Sequence, residues 1–260
     1  MDDSAERRTG WWRPLVTVAA AAVLVVALLA GVNLSRTSAL VAAAPGFETG
    51  IIVEPSAAPT PEAEPSATAG NAAVEQVSPA WAQRVARLTG IPQRAVLAYA
   101  AADLALRAQK PSCRIGWNTL AAIGAVESGH GSHDGATLDA DGRAEPAIRG
   151  PRLDGSHTAR VTDSDQGRLD GDTQWDRAVG PMQFLPSTWR TWGRDGSGDG
   201  VADPDQIDDA ALAAADYLCA AGGSLNTSSG WTRAIWAYNH SSDYVDRVRR
   251  FANDYAAAAP

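Results

Sequence analysis

The strongest constraint on the fold is a series of helix-like segments that begins at Ser78 and runs nearly to the end of the chain. Ser78 suits a helix N-cap, Pro79 suits the first helical position, and Gly90 suits a helix stop. Six more segments also indicate helices, at 91–110, 116–128, 186–192, 208–221, 231–238 and 242–255. We therefore predict a mainly α-helical domain over residues 78–260.

A long stretch without helical signals interrupts the series at residues 131–176. It contains four Asp-Gly dipeptides, which are turn signals. Within it, ATLDADGRAEPAI at 136–148 is predicted to form a small β-hairpin. A loop this long in a compact domain is usually functional, so we expect the insertion to have a functional role.

Residues 14–34 form an uncharged apolar run that is long enough to span a bilayer as a helix. Three arginines precede the run and one follows it closely, so residues 1–13 should lie in the cytoplasm and the later domain outside. The run is longer than the apolar core of a signal peptide, which favours a single-pass anchor in the cell membrane. Cleavage within the small-residue stretch LVAAAPG, which would release a secreted protein, stays open.

Composition separates a spacer from the domain and excludes one class of partner. Residues 35–77 are rich in Ala, Pro, Glu, Thr and Ser and are predicted to form a flexible linker that holds the domain away from the membrane. The chain of 260 residues has a formal net charge of −8, and Lys110 is its only lysine. Nothing in this charge pattern resembles a phosphate-binding surface, so nucleic acid is not an expected partner.

Cys113 and Cys219 are the only cysteines of the chain. Because the predicted topology exports the domain to an oxidising compartment, the simplest interpretation is a disulfide between them. The bridge would tie the region before the helix at 116–128 to the helix at 208–221. Two free buried thiols are the alternative.

The segment LAAIGAVESGHG places one glutamate at the end of an apolar helix. Trp117, Leu120, Ile123 and Glu127 share one helix face, which should point into the core. Burial and the negative end of the helix dipole both disfavour a charged carboxylate, so the pKa of Glu127 should be raised. Such a group suits a general acid near neutral pH. A structural glutamate that caps backbone amides of the following loop is the alternative.

Two further segments follow in order, AVGPMQFLPSTW at 178–189 and AIWAYNHSSDYV at 234–245. Together with ESGHG they resemble the lytic murein transglycosylases, in particular the membrane-bound type B branch, over residues 80–255. The resemblance implies a goose-type lysozyme-like fold and a peptidoglycan substrate. The richness in Arg, Ala and Asp with almost no Lys is similar to that of actinobacterial proteins from high-GC genomes.

The resemblance also implies roles for individual residues. Glu127 matches the family's sole catalytic acid/base, and Ser128 follows it as a neighbouring hydrogen-bonding residue of the substrate site. Gln183 matches a residue that lines the sugar subsites, and Tyr238 and Asn239 match cleft residues that contact the reacting sugar. Three apolar neighbours are interpreted as core packing: Met182, Phe184 and Trp236.

The implied chemistry needs one carboxylate and no cofactor. The acid protonates the oxygen between N-acetylmuramic acid and N-acetylglucosamine. The muramic acid 6-hydroxyl then attacks the anomeric carbon, which leaves a 1,6-anhydromuramoyl end. A hydrolytic muramidase with Asp172 or Asp176 as second carboxylate stays open. So does a non-catalytic cell-wall-binding module on the same fold.

The acidic loop DGSGDGVADPDQIDDA at 195–210 suggests a structural Ca²⁺ ion. Asp195, Ser197, Asp199 and the carbonyl of Val201 fit the spacing of an EF-hand loop, although the last ligand position holds Gln instead of Glu. The type B branch carries a longer EF-hand-like loop that ends in a later aspartate, and the matching residue here is Asp209. A solvated acidic turn is the alternative, and three further aspartates are alternative ligands: Asp203, Asp205 and Asp208.

Overall fold

The computed structural model describes residues 73–156 and 158–259. The predicted membrane segment at 14–34 and nearly all of the predicted linker at 35–77 lie outside the described residues. Within the described ranges, no helix is both long and apolar enough to cross a membrane. The membrane anchor and the extracytoplasmic location therefore stay predictions.

Seven α-helices make up most of the described part of the chain. In chain order they are α1 (Pro79–Thr89), α2 (Gln93–Gln109), α3 (Trp117–Ser128), α4 (Pro186–Trp192), α5 (Ile207–Gly222), α6 (Ser228–Tyr238) and α7 (Ser242–Ala258). Strand β1 (Thr137–Leu138) pairs with β2 (Ala144–Glu145), and short 3-10 helices lie at Ala73–Gln76 and His133–Gly135. The predicted mainly α fold with a small hairpin is confirmed.

Local sequence signals explain most helix ends. The Ser78 hydroxyl accepts a hydrogen bond from the N–H of Trp81 at 3.4 Å, and Gly90 ends α1 in the left-handed conformation. Helix α6 begins earlier than predicted because the Thr227 hydroxyl caps it, accepting from the N–H of Gly230 at 3.1 Å. Helix α7 ends later than predicted because the final alanines favour helix.

Helix α3 is the central helix of the core. Residues 117–124 are buried on every side, and the helix packs mainly against α7 and also against α2. Gly124 permits a close approach of α2, since a Cβ there would lie 2.0 Å from the Tyr99 hydroxyl. Because its surroundings are closely packed, α3 holds its last turn in a fixed position.

A disulfide joins Cys113, just before α3, to Cys219, near the end of α5. The Cα atoms lie 5.4 Å apart across a separation of 106 residues. The N–H of Leu225 also donates to the carbonyl of Cys113 at 2.6 Å, so the chain after α5 is bound to the same region. The predicted pairing is confirmed.

The 131–176 insertion consists of short bridges and turns. Strands β1 and β2 pair in antiparallel fashion, which confirms the hairpin predicted at 136–148. Further along, isolated bridges pair the following residues: Asp154 with Arg160, Thr162 with Trp175, and Arg149 with Val179. The last of these bridges connects the insertion to the segment that carries Gln183.

Candidate active site

Glu127 lies in the last turn of α3. The helix ends at Gly129, which has a φ of 60° and donates its N–H to the carbonyl of Ala125 at 3.3 Å. Glycine is required here because φ is positive and a Cβ would lie 2.8 Å from Ser132 Oγ. Glu127 is partly buried, so its carboxyl has lost much of its solvation.

The Glu127 carboxyl is bound by a tyrosine from another helix. The Tyr244 hydroxyl donates to Glu127 Oε1 at 2.5 Å. Tyr244 is buried in the first turn of α7, and its own N–H donates to the Ser241 hydroxyl at 3.3 Å. Because α7 packs against α3, the tyrosine holds the carboxyl in one orientation.

The pKa of Glu127 is raised from its ordinary value of 4.5 to about 7. Burial is the largest cause, because a carboxylate loses solvation there. The hydrogen bond from Tyr244 and the positive charge of Arg247 oppose this effect and lower the pKa. The predicted rise in the pKa is confirmed, and the carboxyl can both hold and release a proton near neutral pH.

Ser128 connects the end of α3 to the turn that precedes α4. Its hydroxyl donates to the carbonyl of Pro181 at 2.6 Å and accepts from the N–H of Gly131 at 2.8 Å. The residue is only 4% exposed. Ser128 therefore positions its neighbours, and its contact with substrate stays a prediction.

Gln183 lies on a tight turn. Two backbone hydrogen bonds between Val179 and Phe184, of 2.8 and 3.0 Å, close the turn. Gln183 has a positive φ of 50°, is partly buried, and donates its Nε2 to the carbonyl of Gly180 at 2.9 Å. Gly180 has a φ of 74°, and a Cβ there would lie 1.8 Å from the carbonyl oxygen of Pro204. The turn therefore presses directly against the acidic loop.

Tyr238 ends α6 and reaches the same turn. Its hydroxyl donates to the carbonyl of Met182 at 2.8 Å, and its ring packs edge-on against Phe184 at a centroid distance of 5.9 Å. Burial, and then the charge of Glu127, raise the pKa of Tyr238 well above its usual value. Tyr238 thus lies near the glutamate, and Asn239 follows it at an exposed position.

One of the three residues interpreted as core packing is not in the core. Met182 and Phe184 are buried as predicted, but Trp236 is 43% exposed. The inward face of α6 is formed by residues three and four apart, including Trp231 and Ile235, and position 236 lies off this face. The interpretation of Trp236 as a core residue is wrong.

Sequence reasoning missed Tyr244. The sequence did indicate that Tyr244 faces the core, because Tyr244 and Val248 lie four residues apart on the buried face of the last helix. However, Tyr244 and Glu127 are separated by 117 residues. Only the packing of α7 on α3 brings them together.

The carboxylate of Asp209, a predicted calcium ligand, accepts hydrogen bonds from the backbone of its own loop. Asp209 is fully buried. One carboxylate oxygen accepts from the N–H groups of Gly196 and Ser197, and the other accepts from the N–H of Asp203, all at 2.8 Å. These bonds satisfy the carboxylate within the protein.

The other predicted ligands bond the loop in the same way. Asp195 accepts from the N–H of Gly200 at 2.8 Å, and Asp199 accepts from the N–H of Val201 at 2.8 Å. Among the described residues, the carboxylates of Asp195, Asp199 and Asp209 do not converge into a group that would hold a metal ion. The prediction of Ca²⁺ in this loop is therefore not supported.

Arginines from outside the loop bind the alternative ligands. Bidentate arginine–carboxylate pairs combine charge with two directed hydrogen bonds. Two pairs hold the loop in this way, Arg149 with Asp205 at 2.7 and 2.9 Å and Arg94 with Asp208. A third arginine, Arg143, makes a single ion pair with Asp203. The loop is thus bound to α2 and to the segment around β2.

A different group of carboxylates does come together in the described residues, Asp163, Asp165 and Asp176. Asp176 is buried and accepts from the N–H and the hydroxyl of Ser164 at 2.9 and 2.8 Å. Asp163 and Asp165 likewise accept backbone N–H bonds of the following turn. These bonds explain the group as a structural element of the insertion.

The two carboxylates considered as partners for Glu127 are both engaged in the insertion. Asp172 pairs with Arg152 at 2.6 Å, and Asp176 holds Ser164. Neither is among the groups that shift the pKa of Glu127. Among the described residues, the polar groups that shift the pKa of Glu127 are Tyr244 and Arg247.

These features define a helical domain built around one partly buried glutamate. Residues 64–232 match the family described as Transglycosylase SLT domain, which is about two thirds of the chain. The chain therefore belongs to this family of enzymes that act on peptidoglycan. Its predicted lysozyme-like fold and enzyme class are confirmed, and the family needs no cofactor for catalysis. Tyr238, Asn239 and Tyr244 lie beyond the matched range.

Among solved structures, the chain is similar to the lytic transglycosylase Slt35 of Escherichia coli in complex with bulgecin A. The TM-score is 0.41 at 16% sequence identity, and the likeness covers 74% of this chain and 81% of that chain. A comparison with curated proteins finds no match. The type B branch and an actinobacterial source stay predictions.

Proposed function

We propose that this protein cleaves the β-1,4 bond between N-acetylmuramic acid and N-acetylglucosamine without water, leaving a 1,6-anhydromuramoyl end. The observation that carries the proposal is the lone Glu127, whose pKa is about 7 and whose carboxyl is oriented by Tyr244. A group with this pKa can give a proton and take one back at neutral pH. Family membership supports the substrate class.

In the first step Glu127 is the general acid. Its proton moves to the glycosidic oxygen, the bond from that oxygen to C1 breaks, and the N-acetylglucosamine unit leaves as an alcohol. The N-acetyl group of the muramic acid supports the positive charge that develops on C1. Glu127 becomes a carboxylate, which the Tyr244 hydroxyl and the charge of Arg247 favour because both lower its pKa.

In the second step Glu127 is the general base. The muramic acid 6-hydroxyl attacks C1 while its proton passes to the Glu127 carboxylate, which restores the starting state. The nucleophile belongs to the same sugar, so no second carboxylate has to position a water molecule. The engagement of Asp172 and Asp176 within the insertion supports this route over a hydrolytic one.

We assign substrate contacts to Gln183, Tyr238 and Asn239. Gln183 is partly buried on its turn, and Asn239 is exposed at the end of α6. Tyr238 lies near Glu127, but its hydroxyl is already bonded to the carbonyl of Met182, so its ring is the part that meets the sugar. We assign Ser128 a positioning role because its hydroxyl is bonded on both sides within the protein.

Mass analysis of muropeptides released from purified peptidoglycan tests the proposal. The expected products end in anhydromuramic acid and are lighter by one water than the corresponding hydrolysis products. Products with reducing muramic acid ends would instead indicate a hydrolytic muramidase. Binding without any release would indicate a cell-wall-binding module. Glu127→Gln serves as the matched inactive control.

We also propose that residues 14–34 anchor the domain at the outer face of the cytoplasmic membrane. The support is the length of the apolar run and the excess of arginines before it. The full chain should remain with the membrane fraction after a high-salt wash, and a chain that starts at residue 35 should not. Recovery of a shortened full-chain product in the medium would indicate cleavage instead.

A further inference from the structure

An exposed arginine lies beside the candidate acid without a partner of its own. Arg247 is three residues after Tyr244 on α7, so the two side chains lie on neighbouring parts of one helix face. Tyr244 is buried and contacts Glu127, whereas Arg247 is exposed. Arg247 therefore lies one helical turn after the tyrosine that binds the candidate acid, and its positive charge lowers the pKa of Glu127.

Many arginines of the described residues bind an aspartate, and Arg247 does not. Arg249, two residues further along α7, pairs with Asp246 at 2.6 Å, so that nearby carboxylate is already used. Within the described ranges, Arg247 makes neither a hydrogen bond nor an ion pair. A guanidinium group has five fixed N–H donors that match a carboxylate, so an unused one at a substrate site is suited to bind an anion.

We propose that Arg247 binds a carboxylate of the peptidoglycan strand next to the cleaved bond and thereby selects strands by charge. The inference rests on the proposed cleavage of glycan strands at Glu127. Muramic acid differs from N-acetylglucosamine by a lactyl group that ends in a carboxyl. In strands without peptides this carboxylate is free. In peptide-bearing strands it is an amide, and the carboxylates belong to the peptide.

Cleavage rates on three related substrates test this assignment. The first is strands freed of peptides, the second is the same strands with the lactyl carboxylate converted to a methylamide, and the third is peptide-bearing strands. On strands that offer the recognised carboxylate, Arg247→Gln should raise KM roughly ten-fold, because one charged hydrogen-bonded contact is lost. On the methylamide strands the variant and the wild type should have the same KM.

The first and third substrates distinguish the source of the carboxylate. A loss on peptide-free strands alone identifies the lactyl group, and a loss on peptide-bearing strands identifies the peptide. Measurements near pH 5.5, where Glu127 is protonated, exclude an effect that acts only through the pKa of Glu127. Arg247→Lys should restore part of the affinity, since it keeps the charge but not the two-pronged geometry.

Arg250→Gln is the matched control, because Arg250 is also exposed on α7 and also lacks a partner among the described residues. It should keep the wild-type KM on all three substrates. An equal loss in Arg247→Gln on the methylamide strands, or no loss on any strand, would overturn the proposal. If the wild type cleaves none of the three substrates, the proposed function fails instead.

Discussion

Replacing the candidate acid should make the protein inactive and, above neutral pH, more stable. In the unfolded chain a glutamate loses its proton near its ordinary pKa of 4.5, whereas folded Glu127 keeps its proton up to a pKa of about 7. Between these values the folded state binds more protons, so the stability of the native protein falls as pH rises through this window. The free-energy penalty of ionising the buried Glu127 carboxyl therefore lowers the stability of the native protein. This penalty is fully present above pH 7 and absent below pH 4.5.

The gap between the two pKa values corresponds to at most about 3 kcal/mol. The side chain is only partly buried, so we expect solvent screening to reduce the penalty to roughly 1–2 kcal/mol. Gln has nearly the same shape as Glu and carries no charge, and its Oε1 can still accept from the Tyr244 hydroxyl. Glu127→Gln should therefore remove the penalty without a cavity or a lost hydrogen bond.

Thermal unfolding of the wild type and Glu127→Gln at pH 4 and pH 8 tests this reasoning. The variant should melt about 2–8 °C higher at pH 8 and at the same temperature at pH 4. Its cleavage rate should fall by at least the roughly 10²–10⁴-fold typical of a general acid, since Glu127 carries both proton transfers. Glu145→Gln, at an exposed glutamate, is the control and should change neither property.

Two results would refute the argument. If Glu127→Gln melts at or below the wild-type temperature at pH 8, burial does not hold Glu127 in its protonated form. If the variant keeps most of its cleavage activity, Glu127 is a structural residue. A stable but inactive variant would agree with both the electrostatics and the proposed chemistry.

Three further changes test other contacts. Tyr244→Phe removes a donor that lowers the pKa of the candidate acid, so the alkaline limb of the rate profile should move to higher pH and kcat should fall roughly five-fold, for one net hydrogen bond. Changing Cys113 and Cys219 together to Ala should lower the free energy of unfolding by about 2–5 kcal/mol in denaturant titrations, because a long loop is released. Gly180→Ala should destabilise by more than about 2 kcal/mol because its Cβ would meet the carbonyl of Pro204, whereas Gly171→Ala has open space and should lose only about 1 kcal/mol.

Helix ends could be predicted from the sequence because their causes are local. Ser78, Pro79 and Gly90 act on neighbouring backbone groups, and the hairpin at 136–148 follows from its turn residues. The position of Glu127 at the end of an apolar helix was local information as well. The rise in its pKa followed from the expected burial.

The contacts of the candidate acid could not be predicted in the same way. Tyr244 meets Glu127 only because α7 packs on α3, and no spacing in the sequence reports that packing. Trp236 was different, because the positions of Trp231 and Ile235 already placed it on the outer face of α6. That prediction was wrong because it considered only the apolar character of the residue and not its position around the helix.

The acidic loop shows why counting carboxylates is not enough to predict a metal site. The spacing of Asp195, Ser197 and Asp199 fits an EF-hand loop, but the sequence pattern does not report which donors approach from elsewhere. In the structure, backbone N–H groups and arginines distant in sequence bind these carboxylates and their neighbours. Their contributions appear only once the segment around β2 and helix α2 are packed beside the loop.

This packing connects the acidic loop directly to the turn that carries Gln183 in the candidate site. Pro204 lies directly against Gly180, and Gly180 belongs to the turn that carries Gln183. The same turn receives the hydroxyl of Ser128 from the end of α3 and the hydroxyl of Tyr238 from the end of α6. The loop therefore supports one side of the turn while the two helices fix the other. Loosening the arginine pairs of the loop should move Gln183 relative to the candidate acid, which would impair substrate placement before it affects the proton transfers themselves.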